Sequence, residues 1–91
     1  MNKRKPIKLS EARIIIYISQ VPNPLKYAQN ISQRLDIDYR YCLIILNMMV
    51  AKGWLKEERS LIDHRKKYYQ IADNALVEKA KKAIMEVNNN G

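Results

Sequence analysis

Apolar residues recur at three- and four-residue intervals through most of the chain, and short polar or proline-containing breaks divide the pattern into helix-length blocks and a strand-like pair. Ser10 is placed to cap a first helix, Glu11 follows in its first turn, and Ala12, Ile15 and Ile16 begin an apolar stripe. The stripe is imperfect, since its next place falls on Ser19. The run Arg13-Ile14-Ile15-Ile16-Tyr17-Ile18 is β-branched enough to suit a buried strand as well, and a helix is the preferred reading. Val21-Pro22-Asn23-Pro24 then breaks the chain, with Asn23 as a cap residue and Pro24 at the first position of a second helix. That helix carries Leu25, Ala28, Ile31 and Leu35 along one face, with Lys26, Gln29, Gln33 and Arg34 outside it, and ends near Leu35. Asp36-Ile37-Asp38 leaves a tight turn in which Asp38 caps a third helix, which runs to Lys52 before Gly53 stops it. Trp54 to Arg59 and Lys67 to Ile71 read as a hairpin around a charged loop. Asp73 or Asn74 opens a last helix with Leu76, Ala80, Ile84 and Val87 on one face. The expected class is α+β and mostly helical, with residues 1–9 as a flexible basic arm and 88–91 as a disordered tail.

Ninety-one residues with 47% hydrophobic content fit one domain, with a core but little room for a large enzyme pocket. Charge changes the picture most. The chain has 17 Lys and Arg against 9 Asp and Glu, a net charge of +8, which makes a polyanion such as nucleic acid the leading partner. Cys42 stands alone, so no intrachain disulfide forms, and its place on the inward stripe marks it as core. With 2 glycines and 1 histidine, the chain offers no recognisable nucleophile with its base, metal cluster or phosphate-cradling loop. An enzyme is not expected, nor is a metal at His64 or any cofactor. No apolar run is long enough to cross a bilayer, so the expected setting is the cytoplasm.

The stretch from Tyr27-Ala28-Gln29-Asn30-Ile31 through Leu35-Asp36-Ile37-Asp38 to Gly53-Trp54-Leu55 resembles a helix-turn-helix followed by a wing. Ala28 lets the helices approach, Ile31 and Leu35 face inward, Ile37 plugs the turn, and Cys42, Leu46 and Met49 turn the third helix to the core. Together with Lys52-Gly53-Trp54-Leu55 and Tyr68-Tyr69-Gln70-Ile71, the pattern is similar to winged helix-turn-helix regulators of the MarR-like and PadR-like groups. On that likeness residues 10–87 form a winged helix domain, with the helix-turn-helix at about 23–53, the wing at about 54–71 and the last helix at about 73–87.

The resemblance implies that the third helix enters a major groove while the wing touches phosphates or the neighbouring minor groove. With Cys42, Leu46 and Met49 inward, a rotation of about 100° per residue puts Arg40, Ile44, Asn47 and Ala51 on the far side and Leu43 on the flank. Arg40 suits guanine, Asn47 suits adenine and Ile44 suits a thymine methyl. Tyr39, Tyr41 and Lys26 join the contact set, and Arg59, His64, Arg65 and Lys66 of the wing suit phosphates, as do Lys3, Arg4 and Lys5 of the arm. Leu43 and Ile44 depart from the usual polar face, so the alternative is that another helix covers both. The wing also lacks glycine and holds Leu61-Ile62, leaving its tip conformation open. Such regulators are commonly two-fold dimers, which assigns Leu76, Ala80, Ile84 and Val87 to dimerisation. The expected function is sequence-specific duplex DNA binding as a small dimeric transcriptional regulator, with any small-molecule effector unknown. The rivals are a sequence-neutral architectural or partition protein, and a protein-interaction module using Leu43, Ile44, Leu61 and Ile62.

Overall fold

A computed structural model describes residues 7–63 and 65–90, with side chains described as far as Val87. Its elements are α1 (Leu9–Gln20), a single 3-10 turn (Asn23–Leu25), α2 (Ala28–Leu35), α3 (Tyr39–Ala51), β1 (Leu55–Arg59), β2 (Lys67–Ile71) and α4 (Ala75–Asn90). The β-branched run of α1 is helical, because Ile14, Ile15 and Ile18 all lie in the core and their burial outweighs a small loss in helix propensity. Burial of side chains of this size contributes roughly 1.5 to 3 kcal/mol each, against tenths for propensity. Ser10 does not cap this helix. The cap falls at Lys8, whose backbone N–H donates to the Glu11 carboxylate at 2.9 Å, and Ile7 already packs on the core, so the expected arm does not extend to residue 9.

The second helix begins later than its proline signal. Pro24 initiates only the 3-10 turn, Leu25 stays exposed, and Lys26 and Tyr27 swing out so that the Lys26 carbonyl accepts from Tyr69 N–H at 3.1 Å and Tyr27 bridges Tyr68. The edge of β2 takes the backbone groups that a longer helix would have used internally. α2 closes at Asp36, which adopts a left-handed φ of 57°, and Ile37 N–H donates to the Ser32 carbonyl at 2.9 Å. Asp38 then accepts from Tyr41 N–H at 3.1 Å and starts α3 as its sequence position suggests. At the far end Gly53, at φ 82°, lets its own N–H reach the Val50 carbonyl and Trp54 N–H reach the Met49 carbonyl, both at 3.0 Å. Carbonyls of the last helical turn are thereby satisfied.

β1 and β2 form an antiparallel pair in register from Leu55 opposite Ile71 to Arg59 opposite Lys67. Leu55 and Tyr69 face the core. Asp73 accepts from Ala75 N–H at 3.0 Å at the start of α4, whose helix carries on through Asn88 to Asn90 in place of the expected disordered tail. α4 lies along α1. Leu76 and Ala80 are buried there and Ile84 packs against the same core, which corrects their expected role in dimerisation. Periodicity identified the apolar face of α4 correctly but assigned it the wrong partner.

Candidate nucleic-acid interface

α3 separates two chemistries around its own axis. Cys42, Leu46 and Met49 are fully buried and Ile45 nearly so, whereas Tyr39, Arg40, Tyr41, Ile44, Asn47 and Met48 are exposed. The rotation of about 100° per residue therefore sorts this helix as expected. Leu43 is half-buried and packs on the core, while Ile44 remains 56% exposed, so no element among the described residues buries Ile44. Arg40 makes no hydrogen bond or ion pair among the described residues, and its guanidinium is available to a ligand.

The wing stands beside this helix. A groove between the start of α2, α3 and the hairpin is lined by Tyr27, Gln29, Tyr39, Asn47, Arg65 and Lys66, among others. It joins two of the expected α3 contacts to two of the expected wing contacts. Arg40, Tyr41 and Ile44 lie on the exposed surface of α3 rather than in the groove lining. Lys26 sits at the root of the hairpin, its ammonium donating to Gln70 Oε1 at 3.0 Å, while Gln70 in turn donates to Asn23 at 3.3 Å. Tyr27 and Tyr68 meet edge to face with ring centroids 5.8 Å apart, which braces the same root.

The tip of the hairpin is closed by a small network. Ser60 is buried, and its Oγ accepts from Ile62 N–H at 3.2 Å and Asp63 N–H at 3.3 Å. Across the loop Ser60 N–H donates to the Lys66 carbonyl and Lys66 N–H to the Asp63 carbonyl, both at 2.9 Å. Arg65 donates side-chain and backbone bonds to Asp63, and these hold that carboxyl below the usual carboxylate range. Lys67 pairs with Glu57 at 3.0 Å. Leu61 and Ile62 project from the closed loop with 94% and 98% of their surface exposed. Expected contacts at His64 and at Lys3, Arg4 and Lys5 lie outside the described residues.

An ion pair not anticipated from the sequence anchors the other end of α3. Glu11, almost fully buried, accepts from the Lys52 ammonium at 2.9 Å, and that ammonium also lies 4.4 Å from the centre of the Trp54 ring. The two partners stand 41 residues apart, so no local pattern could have paired them. Burial pushes the Cys42 thiol up to about 11 and the Tyr69 phenol up to about 12, the latter aided by Glu57, Tyr39 and Cys42 nearby. Both are therefore neutral packing groups at physiological pH. Among the described residues no cluster of three or more potential metal ligands occurs, and no helix is long and apolar enough to cross a membrane.

Helix-turn-helix, two-stranded wing and following helix together define a winged helix-turn-helix fold. Solved structures share it. FabT of Streptococcus pneumoniae, in complex with DNA, is 22% identical with a TM-score of 0.71 over 93% of this chain and 62% of its own. The transcriptional repressor CouR, bound to a 23-mer DNA duplex, is 19% identical with a TM-score of 0.73 over 84% of this chain and 54% of its own. A MarR family transcription regulator is 17% identical with a TM-score of 0.69 over 86% of this chain and 52% of its own. The likeness to MarR-type winged-helix regulators expected from the sequence thus holds for the fold, and the chain spans a little over half the length of these proteins. No family model matches the sequence, and no curated protein does.

Proposed function

We propose that this protein binds double-stranded DNA as a small transcriptional regulator, presenting the outer face of α3 to a major groove and the wing to the adjoining backbone. The observation that carries the proposal is the exposed face holding Arg40 and Asn47 beside a cationic wing, on a chain of net charge +8. Arg40 and Asn47 offer the bidentate geometry that distinguishes guanine and adenine, and Lys66 and Arg65 offer sequence-independent phosphate contacts. FabT and CouR, which share the fold, were both solved with DNA.

The test is a fluorescence-anisotropy titration of a duplex from upstream of the protein's own gene against a scrambled duplex, each at two salt concentrations. Preference for the upstream duplex supports sequence reading and autoregulation. Arg40→Ala is expected to weaken the preferred site by about 1 to 3 kcal/mol, while Lys66→Ala weakens all duplexes alike and flattens the salt dependence. Equal losses on every duplex for both variants would overturn sequence reading. A sequence-neutral architectural role is the second reading, favoured by Ile44 and Met48, which place apolar surface where hydrogen-bonding side chains would discriminate bases. Random-pool selection without an enriched sequence supports it.

The reading includes a two-fold dimer whose half-sites lie about one helical turn, roughly 34 Å, apart. Of Leu76, Ala80, Ile84 and Val87, Val87 alone is exposed, and Met85, 60% exposed, lies on another side of α4, so the surface proposed for pairing is the distal end of that helix rather than one stripe. A sedimentation experiment checks this, with Met85→Lys and Val87→Lys expected to give monomers of unchanged fold.

A further inference from the structure

Leu61 and Ile62 are the most exposed large apolar side chains among the described residues, and they adjoin each other at the tip of the hairpin. Exposed leucines are ordinary, but a fully presented pair on a pre-formed turn is not explained by the packing of this fold. The turn is pre-formed because Ser60 Oγ holds the N–H groups of Ile62 and Asp63 while Ser60 N–H and Lys66 N–H close the loop behind them. Binding through this tip therefore orders little chain.

The surroundings indicate the occupant. Arg65, whose side chain is 91% exposed although it pairs with Asp63, and Lys66 share the loop with the apolar pair, so a ligand that takes the pair is favoured when it presents negative charge beside an apolar interior. A DNA minor groove fits, with phosphates lining its walls and stacked bases between them.

Resting on the DNA-binding reading above, we propose that Leu61 and Ile62 form an apolar wedge that enters the minor groove, opens a base step and bends the duplex. Arg65 and Lys66 hold the flanking phosphates while the wedge enters. Apolar wedges on minor-groove proteins partly unstack a step and kink DNA by roughly 20 to 90°. Pyrimidine–purine steps unstack most readily, so the preferred site carries a flexible step about 5 base pairs from the Arg40 contact. Specificity then arises at a position that no hydrogen bond reads.

The test uses the full chain and a duplex of about 20 base pairs, enriched by the protein from a random pool and labelled with a donor and an acceptor dye at its two ends. Wild-type protein is expected to raise energy transfer between the ends and to brighten a 2-aminopurine placed at the flexible step. Leu61→Ser combined with Ile62→Ser leaves the melting temperature unchanged, weakens binding about tenfold and abolishes both signals. Arg65→Ala lowers affinity yet keeps the bend. Binding by wild type without a change in either signal overturns the wedge and leaves the DNA-binding reading intact. A double variant that bends DNA normally but loses self-association also overturns it, making the tip a contact between copies. Absence of binding to any duplex at low salt overturns both readings together.

Discussion

The root and the tip of the hairpin are built from the same two strands, yet they obey opposite rules. At the root Leu55 and Tyr69 are buried, Tyr27 meets Tyr68 edge to face, and Lys26, Gln70 and Asn23 form a chain of side-chain bonds. At the tip the only buried side chain among the described residues is Ser60, and it serves to hold the turn that thrusts Leu61 and Ile62 outward. A firm base under a bare, pre-shaped end is a lever. The root continues into the body of the fold, since β2 packs against both α1 and α2.

Substitutions at the two ends test that contrast. The largest effect is expected from Tyr69→Ala, which empties a core position and costs about 3 to 5 kcal/mol in chemical denaturation, and the DNA binding proposed above is expected to weaken with it. A loss under about 1 kcal/mol would mean that the root is less closely packed than it looks. Next is Glu11→Ala, which strips Lys52 of its buried partner. Because Lys52 is partly exposed to water, the cost is about 1 to 2 kcal/mol rather than that of a fully buried pair, and salt should not mask it. Thermal melts at low and high ionic strength check this.

Alkaline pH gives a third, graded test of the root. Cys42 ionises from an ordinary 9.0 only at about 11 in the fold, and Tyr69 from 10.0 only at about 12. Between those limits the unfolded chain has released protons that the folded chain still holds. Stability is therefore complete below pH 9 and falls as pH rises towards 12, and Cys42→Ala removes the earlier part of the decline. At the tip the sign reverses. Asp63, held low by Arg65, supports the turn above the ordinary carboxylate range and stops doing so as pH falls through its own depressed value. That contribution is screened by solvent around the exposed Arg65 and is the smallest of the set, visible as a shift of the Arg65 Nε resonance rather than in a melt.

Features of local origin were legible in the sequence. Asp38 and Gly53 bound α3 as expected, the strands fall within one residue of their anticipated limits, and Arg40, Ile44 and Asn47 lie outward because three buried neighbours set the rotation of the helix. What escaped depends on distant partners. Asn23-Pro24 is a sound helix start, but Tyr68 and Tyr69 draw Lys26 and Tyr27 away from it. The stripe of α4 is a genuine apolar face, yet no periodicity says whether α1 or a second copy receives it, and α1 does. Glu11 reads as a first-turn acid and proves to be the partner of Lys52 from the end of α3. The tip, without a glycine to announce its turn, is shaped by the side chain of Ser60.

The bridge from Tyr27 to Tyr68 has one more effect. It covers the outer side of β2 with the chain leading into α2, so β1 is left as the one open margin of the described sheet. Along that margin four successive residues, Lys56, Glu57, Glu58 and Arg59, are charged and exposed. A second molecule adding its own strand there would have to dehydrate that row, which disfavours edge-to-edge growth of this strongly cationic protein into fibrils.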